Sequence, residues 1–354
     1  VSFFDRYFYR SLKLILTTTI FEEIKMRKYL LSTSALAGAA LLSSAAVADV
    51  TISGYSEFSY TQADHNIAAN DGNNMGLDQE VHIKFVNKTD SGLTITAMNE
   101  FSTHDGTGDD TYMSIAGGFG SLKLGKTDAV SSSFDMNPLD LVEEEATGTL
   151  NDGATTPSGI GTIGVDTGTG GANTTKATYT LPAIGGLSAG FSAGTNDTLA
   201  GTDDITAFGA RYTLDAGGAA VTIGYATKTT EGASVDTDVS SVGIKVAMND
   251  FTIMVANGTN EASGEDVSTQ SAGISYKVSD ALTVNFATVT SEDDIDTGEE
   301  YDANHYEAVY TIASGLTAVV NVSDWDYLKG STSNNTGAVD MNGTTTKLTL
   351  KASF

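Results

Sequence analysis

Three observations predict an all-β fold, a sixteen-stranded antiparallel β-barrel that crosses a membrane with its strands. After residue 49, apolar residues recur at every second position rather than at helical spacing. Tight turns alternate strictly with longer polar loops. The chain also carries 38 glycines but only 3 prolines, with abundant Thr, Ser, Ala and Val, which favours strands and turns over helices.

A leader comes first. Met26-Arg27-Lys28, an apolar stretch at 30–42 and Ala46-Val47-Ala48 give a basic head, a short apolar middle and a small-residue exit. Residues 26–48 are therefore read as a signal peptide cleaved after Ala48, and 1–25 as an over-extended reading frame. The barrel is expected over 49–354.

In order along the chain, the strands are predicted at 50–61, 78–89, 93–103, 110–117, 121–129, 174–182, 187–195 and 203–214. The second half follows at 219–228, 237–247, 250–258, 268–278, 281–290, 303–313, 316–325 and 345–354. Alternation is clear in Val81, Ile83 and Phe85, in Val221, Ile223 and Tyr225, in Phe251, Ile253 and Val255, and in Leu348, Leu350, Ala352 and Phe354. The short connections are 90–92, 117–120, 183–186, 215–218, 248–249, 279–280 and 314–315. Eight longer polar loops fall between them, the longest at 130–173.

This rhythm separates a membrane barrel from a soluble sandwich. Membrane barrels have tight turns on one side, long loops on the other, and tilted strands of roughly 9–11 residues. Pro138 and Pro157 fall in the longest loop and Pro182 ends a strand, so no strand interior contains proline. The apolar faces then point to lipid and the polar faces line water. Charges near strand middles suit that arrangement, among them Glu57, His82, Lys84, Glu100, Lys176, Arg211, Lys245 and Lys347. Tyr55, Phe58, Tyr60, Phe101, Tyr112, Phe251, Tyr276, Tyr306, Tyr310 and Trp325 lie near strand ends and are candidates for interfacial girdles.

Composition excludes several functions. With 18 Lys and Arg against 45 Asp and Glu, the formal net charge is −27, and a nucleic acid would be repelled. The absence of cysteine rules out disulfides, thiol nucleophiles and zinc-thiolate sites. Gly159-Ile160-Gly161-Thr162-Ile163-Gly164 spells a dinucleotide fingerprint without the strand and helix that motif needs. Gly190-Phe191-Ser192-Ala193-Gly194 spells a nucleophile elbow, but Ser192 sits inside an alternating strand. His65, His82, His104 and His305 show no metal-ligand spacing, so neither a catalytic nor a metal site is expected.

At this point the chain resembles the Gram-negative general-diffusion porins. Asp49-Val50-Thr51-Ile52-Ser53-Gly54-Tyr55 is similar to the family's opening strand. Gly117-Gly118-Phe119-Gly120-Ser121-Leu122-Lys123-Leu124-Gly125-Lys126 is similar to the turn and strand before its constriction loop. The last strand ends in a terminal aromatic, Phe354, like the signal these barrels present to the assembly machinery.

The resemblance implies a homotrimer in the outer membrane of a Gram-negative bacterium, surrounded by lipid and lipopolysaccharide. It also implies passive diffusion of small hydrophilic solutes through a water-filled pore, without a cofactor. The loop at 130–173 occupies the constriction-loop position and holds Asp135, Asp140, Glu143, Glu144 and Glu145, with no Lys or Arg from 127 to 175.

Facing it, the wall cations are expected to be Lys84, Lys126 and Lys347, with Glu57, Glu100 and Arg211 as further lumen residues. Lysines in place of the family's arginines make a weaker cationic wall, so a preference for cations follows. Calcium at the loop carboxylates is an alternative use of the same acids. A nutrient-specific channel and a secreted β-rich adhesin are the competing functions, the latter requiring a short repeat that is absent.

Overall fold

The computed structural model describes residues 49–66, 71–102, 108–142, 174–196, 204–232, 236–262, 265–293, 299–328 and 341–354. The expected signal peptide and upstream extension lie outside the described residues. The strands are β1 Asp49–His65, β2 Gly72–Lys88, β3 Thr94–Ser102, β4 Gly108–Gly117, β5 Gly120–Lys126, β6 Thr174–Thr180, β7 Leu187–Asn196 and β8 Asp204–Asp215. They continue as β9 Ala219–Glu231, β10 Asp236–Met248, β11 Phe251–Ala262, β12 Glu265–Lys277, β13 Leu282–Asp293, β14 Glu299–Ala313, β15 Leu316–Leu328 and β16 Met341–Ser353. Every strand pairs antiparallel with its sequence neighbour, and β16 closes the ring onto β1.

Closure removes both sheet edges, so every backbone group in the strands can find a partner inside lipid. The short turns are built for tight reversal. Asn249 and Gly315 take positive φ, 50° and 74°, where a two-residue hairpin needs the left-handed region. At the seam, the Phe354 amide donates to the Gly54 carbonyl at 2.9 Å, and the Gly54 amide donates back at 3.3 Å.

The burial pattern runs opposite to that of a water-soluble protein. Outward-pointing Ile52, Ile253 and Leu350 are 70 %, 48 % and 45 % exposed, whereas inward-pointing Asn321 and Ser192 are fully buried. An apolar belt of this extent is a liability in water but matches hydrocarbon. Among the described residues no helix is long and apolar enough to cross a membrane; the strands do so.

Several strands extend further toward the long loops than the apolar alternation indicated. β1 continues to His65, β2 begins at Gly72, and β13 and β14 pair through Glu292 and Glu300. Main-chain hydrogen bonding needs no apolar side chains, so pairing continues past the lipid belt into water. Glu292, Asp293, Glu299, Glu300 and Asp302, expected in a loop, are therefore strand residues. In the other direction, the fifth strand stops at Lys126 rather than 129. Lys176 Nζ donates to the Thr127 carbonyl at 2.8 Å as the chain turns into the barrel.

The aromatic girdle is corrected in part. Phe58, Phe101, Phe251, Tyr276, Tyr306 and Tyr310 do face outward, with Phe251 and Tyr276 stacked at 4.3 Å. Tyr55, Tyr112 and Trp325 face inward instead. Tyr55 donates to Asp78 at 2.7 Å, Lys123 lies over the Tyr112 ring, and Trp325 is 2 % exposed in an inward cluster with Val267, Val289, Tyr301, Ala303 and Tyr327. Their register places them one residue away from the outward set, and a one-residue offset flips the face.

Candidate functional site: the pinned loop and the channel wall

After β5 the chain forms one short helix, α1 (Val130–Phe134), and then a 3-10 turn at Pro138–Leu141. Asn137 caps that turn by accepting from the Leu139 amide at 3.0 Å, and Pro138 takes its first position. α1 lies against β7, β8 and β9, and the 3-10 turn against β11, β12 and β13. The loop therefore lines one side of the interior.

A track of glycines makes room for it. Gly190 on β7, Gly209 on β8, Gly224 on β9, Gly243 on β10 and Gly273 on β12 all point their missing side chains at the loop. A Cβ on Gly190 would stand 2.6 Å from Val130 Cγ2, and one on Gly243 would stand 2.6 Å from Met136 Cβ. At Gly209 and Gly224 it would run into Phe134 and Met136. Ala129, Val130 and Phe134 pack on Ala207, Ala226 and Val239, while Leu139 and Val142 pack on Ala287.

Polar anchors fix the same surface. The Val130 amide donates to Ser192 Oγ at 3.0 Å. Arg211 Nε donates to the Phe134 carbonyl at 3.1 Å, and its Nη2 donates to the Asp135 carbonyl. Ser241 Oγ donates to Asp135 Oδ1 at 2.8 Å. Ser192, the serine of the elbow-like motif, is thus a buried anchor for the loop. Neither anchoring serine was singled out for this role in the sequence, because a Ser on an alternating strand looks the same whatever it bonds.

The loop acids divide accordingly. Asp135 is 3 % exposed and faces the wall, whereas Asp140 is exposed. Glu143, Glu144 and Glu145 lie outside the described residues, and with them the proposed calcium ligands. Lys84 and Lys347 point inward, each opposite an inward residue of β1, Thr51 and Thr61.

Lys126 is a correction. Its register puts it on the face of Leu122 and Leu124, the outward one, while Lys123 and Lys176 take the inward positions of β5 and β6. Residues two apart share a face, so the cation at the end of the motif cannot join the inner wall that Lys123 occupies.

Away from the described part of the loop, over β14–β16 and β1–β6, the charge of the inner wall is mixed. Glu57 forms an ion pair with Lys351 at 3.5 Å. Glu100 sits across from His82, which contacts Glu80 at 2.8 Å. Next to the 3-10 turn, on β13–β15, Asn285 donates to Glu307 at 2.9 Å and His305 Nδ1 meets Ser323 Oγ at 2.7 Å, all buried. Among these wall charges acids are as prominent as lysines, unlike a wall of arginines.

A closed barrel with a lipid-facing apolar exterior, a charged interior and a loop folded into its bore defines a pore-forming protein of the outer membrane. The chain belongs to the Gram-negative porin family, whose profile matches residues 32–347, and it is an outer-membrane porin. Among solved structures it is similar to the trimer form of OmpT, an outer-membrane protein of Vibrio cholerae (TM-score 0.64, 14 % identity, covering 87 % of this chain and 100 % of that one). It is also similar to an anion-selective porin from Comamonas acidovorans (0.58, 14 %, 87 % and 100 %). A further porin structure refined at 1.8 Å gives 0.62, at 19 % identity over 86 % and 100 %. No match is found among curated protein sequences.

Proposed function

We propose that this porin passes small hydrophilic solutes and ions by passive diffusion, favours cations, and works as a homotrimer after removal of residues 1–48. The observation that carries the selectivity is the asymmetry of the bore. Arg211, the only arginine after residue 28, is turned onto loop carbonyls beside Asp135 and Asp140, and among the described residues of 130–142 Asp140 is the acid left exposed. With Lys351 paired to Glu57, and Glu80 and Glu100 also on the inner wall, the loop acids Asp140, Glu143, Glu144 and Glu145 set the sign of the field. Low-dielectric walls focus that field onto the passing ion. Charges further away matter little, because at 0.15 M salt screening acts within about 8 Å.

The trimer rests on family membership and on the likeness to a structure described as a trimer. Reversal potentials across planar bilayers in a potassium chloride gradient test the selectivity. The native pore should give the sign of a cation-preferring channel, and D140N combined with E143Q, E144Q and E145Q should move it toward zero. An anion-preferring pore, or one indifferent to those four changes, refutes the reading.

A further inference from the structure

Three inward side chains of β2 and β3 form a group with mixed donor chemistry. Glu80 and His82 stand two residues apart on the inner face of β2, and Glu100 lies directly across from His82 on β3. On its other side Glu100 falls in a bulge, between the Asn99 and Phe101 pairs with β4. The register with β2, unbroken here, is what sets Glu100 beside His82. One donor atom from each of the three lies within 4.8 Å of the others, and His82 Nε2 is 2.8 Å from Glu80 Oε2.

Those spacings bracket what a metal ion needs. Around a tetrahedral ion with bonds of about 2.1 Å, neighbouring donors stand about 3.4 Å apart. The 2.8 Å His82–Glu80 contact is that of a shared proton. Replacing the proton with an ion asks the pair to open by about half an ångström, within the reach of a partly exposed glutamate. The donor set also selects. Calcium and magnesium take oxygen ligands, whereas an imidazole flanked by carboxylates suits zinc and its first-row neighbours. Around the group, Asp78 accepts from Tyr55, whose ring meets His82 edge-on, while Glu57 on the same inner face is paired with Lys351. Lys84, the next inward residue of β2, is the nearest opposing charge along that strand.

We propose that Glu80, His82 and Glu100 form a binding site for a first-row divalent metal ion such as zinc on the channel wall. The site depends only on the register of β2 and β3, not on the ion preference of the pore. Purified, folded full-length protein in detergent is equilibrated with zinc chloride, desalted, and its metal content measured. Native protein should retain zinc in a saturable way. H82N and E100Q should each weaken retention by at least the roughly tenfold that loss of even an outer-shell partner costs, and H65N, at the outer mouth, should leave it unchanged. Heat-modifiable gel mobility confirms that each variant is folded. Native protein that retains no zinc, or H82N protein that retains it as tightly as native, overturns the proposal.

Discussion

Replacing Gly190 by alanine tests whether the loop is pinned where the wall has no side chains. The added Cβ would stand 2.6 Å from Val130 Cγ2 and 3.1 Å from the Tyr179 carbonyl oxygen. Carbon atoms in contact prefer about 3.5 Å or more, so Val130 must retreat by roughly 1 Å. Rotation offers little relief, because a β-branched side chain in a helix has essentially one rotamer.

The same retreat stretches the bond from the Val130 amide to Ser192 Oγ, now 3.0 Å, beyond hydrogen-bonding range. Overpacking of about 1–3 kcal/mol and a weakened buried hydrogen bond of about 1 kcal/mol together take about 2–4 kcal/mol from loop docking. At about 1.4 kcal/mol per decade, the undocked population rises roughly 30-fold to 1,000-fold.

The chain contains no cysteine, so a single reporter is clean. Ser131 is fully buried and its hydroxyl has no hydrogen-bond partner, so Ser131→Cys disturbs little. The rate at which a water-soluble thiol reagent labels Cys at that position should rise by the stated factor in Gly190→Ala. In Gly72→Ala, where an added methyl meets nothing within 4 Å, it should stay as it was. If Gly190→Ala labels at the background rate, the loop does not rest on the glycine track.

The other predictions concern single groups. Ser192→Ala leaves the buried Val130 amide unpaired and should weaken loop docking by about 1–3 kcal/mol, read by the same labelling rate. Lys347→Met should shift the reversal potential toward stronger cation preference, whereas Lys126→Met should leave it unchanged; equal effects would mean that the β5 register is wrong. The Phe354 side chain is 80 % exposed and its two seam hydrogen bonds to Gly54 are made by the backbone, so Phe354→Ala should change the unfolding free energy of assembled barrels by less than about 0.5 kcal/mol. Outer-membrane yield, measured by the folded gel band, should nevertheless fall, separating a role in assembly from one in stability.

Much of the barrel was legible because one rule, alternation, applies to every strand independently. Val81, Ile83 and Phe85 announce their face without reference to any partner, and the turn at Asn249 announces its own geometry. The rule failed where it was silent. Polar ends such as 62–65 and 299–302 lack apolar alternation, yet they pair, because the ladder belongs to the backbone. Tyr55, Tyr112 and Trp325 were placed by residue type and nearness to a strand end, and type does not report parity.

What the sequence determined by itself was the strand pattern, the inside-out placement of apolar and polar faces, and the position of the long acidic loop. These are local properties, readable within windows of ten residues. The tertiary structure alone decided which inner-wall residues meet that loop. Gly190, Gly209, Gly224, Gly243 and Gly273 lie on five different strands, and Ser192 and Ser241 are separated from their loop partners by 62 and 106 positions. Only closure of the ring brings such distant residues together. It turned an apparent nucleophile into an anchor, moved Lys126 off the inner wall, and set Glu100 beside His82.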